Sequence, residues 1–316
     1  MILLVVDLHE PHVCGLSIAM GILNWFKPKS ASSTKRSRVD LTGRFEIMRT
    51  AVSGSMSDFF MALDRENNQV IGLKVANKEK TKLFENRFRE LKKPSEGEIA
   101  LSIDHPRVVT THEYGTTQSH ENYIVMEFLE GPGLHNLIFN TDSSLEGKRL
   151  KLIRQMAEGL GAVHEAGFIH RDVCPRNYIC SSNNESVTLF DFGLTLPDRH
   201  SFHQPGNRTG TPLYMAPEVI RRKWTDRRLD IFSLGVTLYE LCTFQLPWPK
   251  METSGLAALA HDTDLPQEIL ELQPTLNRKL AAAIMKCISA NADDRFSEIS
   301  EFLTAIQGCE TENEPA

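Results

Sequence analysis

His170, Arg171, Asp172, Val173, Cys174, Pro175, Arg176 and Asn177 stand together, and Asp191-Phe192-Gly193 follows fourteen residues after Asn177. These residue types can serve phosphoryl transfer. A carboxylate such as Asp172 can accept or orient the proton of an attacking hydroxyl. Asn177 and Asp191 are of the kind that hold magnesium against a nucleotide phosphate. Taken singly, each has a plainer use, since an Asp often just caps a turn or a helix. Spaced five residues apart behind a His-Arg pair, Asp172 and Asn177 form a far more specific signal.

Two kinds of element must position these groups. From Phe45 to Asn77 the apolar residues fall in strand-length runs, with Asp64-Arg65-Glu66-Asn67-Asn68 as a turn between two of them, and residues 122–129 form another such run before Gly131-Pro132-Gly133. Beyond it, Leu150 to Ala166 and Asp230 to Thr243 repeat apolar residues at helical intervals. Strands first and helices afterwards predict an α+β protein with a sheet-rich front and a helical back. Lys29 to Arg38 is rich in Ser, Lys and Arg and reads as a flexible linker, with the folded part starting near Gly43. Glu310 to Ala316 reads as a frayed acidic tail.

Composition narrows the class. The 316 residues are 41% hydrophobic and 24% charged, ordinary for a folded protein, and the net charge of -6 argues against a general binder of nucleic acid or anionic membranes. Six cysteines at 14, 174, 180, 242, 287 and 309 form no Cys-x-x-Cys pair and no zinc spacing, as expected of reduced thiols in a cytoplasmic protein. The apolar runs Met1 to Val6 and Val13 to Phe26 are each shorter than the roughly 18 residues of a membrane helix, and no basic start region marks a signal peptide. Met20 is an alternative start. Gly21 carries little weight as a lipidation site because Trp25 stands where Ser or Thr is wanted.

Residues 45 to about 306 resemble a complete eukaryotic-type protein kinase domain, most similar to bacterial serine/threonine kinases, because many motifs appear in the family's order. Lys74, in Val70-Ile71-Gly72-Leu73-Lys74-Val75, is similar to the phosphate-pairing lysine of the third strand, and Glu96 to its partner on a mobile helix, with Glu98 as runner-up. The resemblance implies that Asp172 orients the acceptor hydroxyl and that Asn177 and Asp191 carry magnesium, over His170 and Phe192 as support. It places Met126 at the back of an adenine pocket, Glu127 to Leu129 at its hinge, and Ile179 among the nucleotide-binding residues. Arg208-Thr209-Gly210-Thr211-Pro212 before Ala216-Pro217-Glu218 resembles the activation segment of serine/threonine kinases, with Thr211 bonding the catalytic Asp, and Thr209 and Ser201 as candidate phosphosites. Arg171 suggests a cationic pocket for that segment once phosphorylated. Glu218 is expected to pair with Arg295, and Asp230 to anchor the catalytic loop.

The implied fold has an N-terminal extension (1–44, largely flexible), a small antiparallel sheet lobe with one helix (45–128), a larger helical lobe (129–306) and an acidic tail (307–316). Its implied ligands are ATP and magnesium, and its partners are proteins with Ser or Thr acceptors.

Five positions depart from the pattern. In the phosphate-covering loop only Gly54 keeps its glycine, while Val52 and Ser57 take the other two places, which restricts the backbone. Phe59 replaces a valine and Gly72 an alanine, so the two are expected to compensate each other in volume. Cys174 stands where a lysine is usual, and Arg176 either supplies the missing cation or faces the substrate groove, favouring acidic or neutral target sequences. The reading that follows is an active serine/threonine kinase regulated through its activation segment. The alternatives are a pseudokinase that binds nucleotide or acts as a scaffold, and a small-molecule phosphotransferase of the same fold.

Overall fold

The computed structural model describes residues 35–53, 56–248 and 257–314. Gly54, Met20 and Gly21 lie outside these, and of Val52 only the backbone path is described. β1 (Lys35–Val39) and a short α1 (Leu41–Arg44) lead into the meander β2 (Phe45–Ser53), β3 (Ser57–Asp64) and β4 (Gln69–Ala76). Next come α2 (Lys78–Glu85), α3 (Glu96–Leu101) and the hairpin of β5 (Thr111–Thr117) and β6 (Asn122–Glu127). One six-stranded sheet results, in the order β1-β5-β6-β4-β3-β2.

The two-residue period of a strand sorts its side chains onto two faces. Ile71 and Leu73 of β4 join Tyr123 and Val125 of β6 in a small outer cluster with Phe45 and Ala62. The alternate residues of β6, Ile124 and Met126, join the main core and stand opposite Lys74 and Gly72. The strand pattern therefore turns Lys74 toward the rest of the molecule.

The back is helical. It contains α4 (Leu134–Phe139), α5 (Arg149–Glu165), β7 (Phe168–Ile169), β8 (Tyr178–Cys180), β9 (Val187–Leu189) and β10 (Leu196–Pro197), followed by α6 (Pro217–Ile220), α7 (Arg228–Thr243), α8 (Ile269–Leu272), α9 (Arg278–Cys287) and α10 (Ile299–Ala305). β7 pairs with β10 and β8 with β9, so the loop between β7 and β8 that holds Asp172 is pinned at both ends. α7 is apolar nearly all round and lies in the main core, as such a helix must. No helix among the described residues is long and apolar enough to cross a membrane.

The two-lobed α+β architecture is present, with the strands of 45–128 antiparallel to one another. Corrections are needed at its edges: β1, from before that span, joins the sheet in parallel with β5, and the span holds α2 and α3 rather than one helix. Residues 35–44 are not a flexible linker. Arg36 donates to Glu66 at 2.7 Å and lies 3.1 Å from Glu113, Asp40 caps α1, and Arg44 grips Asp64 at 3.0 and 2.7 Å. Arg36 and Arg44 are thus tied to the carboxylates of Asp64, Glu66 and Glu113. Nor is the tail frayed at Glu312, which is 5% exposed and accepts from the Gly147 and Arg149 amides and the Arg149 guanidinium at 3.0, 2.8 and 2.9 Å.

Candidate functional site

The floor of the site is the loop from His170 to Asn177. Asp230, near the start of α7 and fully buried, accepts the amides of His170 and Arg171 at 2.7 Å each and lies 3.0 Å from His164 Nε2. Burial alone would push its carboxyl up, but the His164 contact and these amides bring it below the usual carboxylate range. The anchor holds Arg171 at φ 70, a left-handed backbone that a non-glycine residue adopts only when its surroundings impose it.

From that turn Asp172 projects its carboxylate. Oδ1 accepts both the amide and the hydroxyl of Thr211 at 2.8 Å, and Oδ2 accepts Asn177 Nδ2 at 3.2 Å. The same Asn177 nitrogen donates to the Asp172 carbonyl at 2.7 Å. Oδ2 therefore retains capacity for a further donor.

Lys74 comes from β4. Its ammonium donates to Glu96 and, at 2.7 Å, to Asp191. Burial opposes its charge, but the two carboxylates outweigh burial and raise its pKa above the ordinary lysine value. Burial raises Glu96 against the pull of Lys74, while Asp191, also opposed by burial, is held low by Lys74. Glu98, the runner-up, turns back to Ser95 and closes a capping box at the start of α3. Phe192 is buried with its ring 5.4 Å from that of His170, and Asp191 sits at φ 69.

The donor set fits a hard divalent cation. No described residue donates to Asn177 Oδ1 or to Asp191 Oδ2, which leaves one amide oxygen and one carboxylate oxygen of the type magnesium takes. In the segment expected to form the hinge, the backbone of Leu129 makes no hydrogen bond to another described residue. Ile179 is bridged to Gly133, beyond that segment.

Gly72 and Phe59 do not compensate each other. A Cβ on Gly72 would lie 3.0 Å from Met126 Cγ and 3.1 Å from the Glu127 carbonyl, so the Met126 stem takes that space. Phe59 instead stands edge-on to Phe190 at 5.6 Å, with Lys74 Nζ 5.1 Å from its ring centre. Cys174 is 1% exposed, touches the Thr211 hydroxyl at 3.7 Å, and burial pushes its thiol up to about 12. It is a neutral filler.

Arg176 is exposed, and no described hydrogen bond or ion pair ties it to Asp172, Asn177 or Asp191. Its charge acts on His135 and on Glu240, which holds the Tyr214 hydroxyl at 2.6 Å.

In the activation segment, Arg171 donates to the Asn207 carbonyl at 2.8 Å and to Thr225 at 3.4 Å, while Thr209 donates to Asn207 Oδ1 at 3.5 Å. Burial lowers the Arg171 pKa to about 10. Ser201 is exposed. Arg295 grips Glu218 with two bonds of 2.8 and 2.9 Å.

Sequence reasoning missed Phe190 and Tyr114. Phe190 stands directly before Asp191 and could have been found by reading one residue further. Tyr114 packs on Gly97, a contact between distant segments that no local pattern reveals.

Comparison with known proteins agrees with this geometry. The model of the protein kinase domain matches residues 45–306. The chain is 30% identical over 270 residues to serine/threonine-protein kinase PknB of Mycolicibacterium smegmatis, covering 83% of this chain and 42% of the relative. It is 30% identical over 277 residues to serine/threonine-protein kinase pkn2 of Myxococcus xanthus, covering 84% and 32%. A probable serine/threonine-protein kinase of Streptomyces coelicolor is 27% identical over 277 residues, covering 85% and 40%. The chain thus spans less than half the length of these relatives. With the match running from β2 through α10 and enclosing Lys74, Asp172, Asn177 and Asp191, the chain belongs to the protein kinase domain family.

Proposed function

We propose that this chain is a serine/threonine protein kinase that transfers the γ-phosphate of ATP to hydroxyls of proteins. The observation that carries the reading is the double engagement of Lys74 by Glu96 and Asp191 in a structure that also fixes Asp172 between Thr211 and Asn177. A pseudokinase would have no need of the whole set in register. Thr211 on Asp172 favours hydroxyls of Ser and Thr over Tyr, as the family resemblance implies.

In this reading Lys74 holds the α- and β-phosphates, and Glu96 keeps the ammonium in register. Asn177 Oδ1 and Asp191 Oδ2 would hold magnesium, which neutralises phosphate charge when bound. Asp172 Oδ2 takes the acceptor hydroxyl's proton or orients it, while Thr211 keeps Oδ1 fixed. Leu129 and Ile179 hold the purine beneath Gly72 and Met126. Arg176, beside Glu240 and Tyr214, lies on the peptide side and disfavours basic targets. The domain boundaries are those of the matched segment, preceded by β1 and α1 as part of the fold. Five buried unpaired thiols among the described residues support a cytoplasmic setting.

The test is to incubate the purified chain with labelled ATP, magnesium and a generic protein, and to identify the labelled residue. Label on Ser or Thr that disappears with a chelator is expected. Label on tyrosine, or no label above an Asp191→Asn control, overturns the proposal.

A further inference from the structure

α3 is six residues long, and Glu96 is its first residue. A helix this short does not hold itself in water, so the position of Glu96 is set by what α3 packs on. The structure shows a chain of contacts from the N-terminal strand to that point. β1 pairs in parallel with β5, placing Lys35 opposite Tyr114 and Arg36 opposite Gly115. The pairing is intimate: the Arg36 carbonyl lies 2.1 Å from where a Cβ on Gly115 would stand. Tyr114 in turn presses on α3, with its Cβ 2.3 Å from the position of a Cβ on Gly97. Its hydroxyl and the Lys35 charge both act on the carboxylate of Glu98, the residue that closes the cap of α3. A cavity of about 100 Å³ lies between Lys35, Gly115 and the first turn of α3, which concentrates the coupling in Tyr114.

We propose that β1 is a positioning strand for the proposed phosphotransfer site, acting through Tyr114 on α3 and so on the Lys74–Glu96 pair, with Arg36 as the residue that seats it. Arg36 reaches over to Glu66 at 2.7 Å and to the buried Glu113 at 3.1 Å. Glu113 also holds Arg44 at 2.7 Å and the Tyr123 hydroxyl at 2.5 Å. Loss of Arg36 therefore frees β1 without leaving that carboxylate alone, which separates the brace from the fold.

The inference rests on the kinase reading for its effect on turnover but not for its effect on α3. In the full chain, Arg36→Ala is expected to speed amide hydrogen exchange in residues 96–101 at least several-fold, with Arg36→Lys restoring part of the protection and the thermal midpoint little changed. Tyr114→Ala is expected to do the same and to lower the phosphotransfer rate about tenfold, with an unchanged peptide KM, because Glu96 leaves its register. Tyr114→Phe, which keeps the ring on Gly97, is expected to lie between. Exchange in residues 96–101 that matches the unaltered chain in Arg36→Ala overturns the proposal, whether or not phosphotransfer is detected. So does a loss in Tyr114→Ala that appears only in peptide KM.

Discussion

Asp172 and Lys74, the two ends of the constellation, are held by different amounts of structure. The Asp172 loop hangs by two amides on a carboxylate inside the main core, lies between two paired strands, and has its own carboxylate fixed by Thr211 and Asn177. Lys74 sits on a strand, but its register depends on Glu96, the first residue of a short helix that leans on β5. The departures from the family pattern follow the same division. On the floor, Cys174 is a buried neutral filler beside an Asp172 that Thr211 and Asn177 hold. On the roof, Phe59 reaches Phe190 and Gly72 admits Met126, changes that bear on the proposed nucleotide space. The floor is overdetermined, and the roof is where this chain adjusts.

Substitutions test that contrast, beginning with the largest effect. Glu218→Ala removes the partner of Arg295, whose side chain is 0% exposed, and is expected to cost about 3 kcal/mol in a denaturant titration. A loss below ~1 kcal/mol would show that the backbone carbonyls around Arg295 suffice. Gly72→Ala is expected to cost about 1–3 kcal/mol by forcing Met126 or the hinge aside and to weaken ATP binding in calorimetry, whereas Phe59→Val is not. Equal weakening by both would restore the mutual compensation of Phe59 and Gly72.

A smaller effect is expected from pH. Burial lowers the His170 pKa from its ordinary 6.5, so the folded ring stays neutral where the unfolded one charges. Below 6.5 the unfolded chain binds the extra proton, and stability falls as pH drops, by up to ~1.4 kcal/mol per unit until the folded pKa is reached. The slope between pH 7 and 5 should be shallower in His170→Phe. Smallest is the response of Cys174, whose thiol at about 12 should remain unalkylated by iodoacetamide at pH 8 in the native chain, as peptide mass mapping would show. Modification there would mean that the floor opens.

The sequence exposed most of the floor, because its residues are adjacent in the chain and their spacing is the signal. His170 to Asn177, Asp191 and the Thr211 segment were readable for that reason, as were α5 and α7 from their apolar period. The roof was less readable. That Gly72 makes room for Met126 depends on which strands pair, and strand order is not written in local composition. The same limit hid β1, since Arg36 looks solvated until Glu66 and Glu113 are brought beside it. Glu312, in a polar tail, was misjudged because its partner Arg149 lies far back in the chain.

In the proposed reaction Asp172 serves the acceptor hydroxyl and not the nucleotide, which Lys74, Asn177 and Asp191 hold. Turnover and magnesium-ATP affinity measured together for Asp172→Asn test it most directly. A fall in turnover of about 10² to 10⁴ with affinity within about twofold of the unaltered chain is predicted. Unchanged turnover would contradict it.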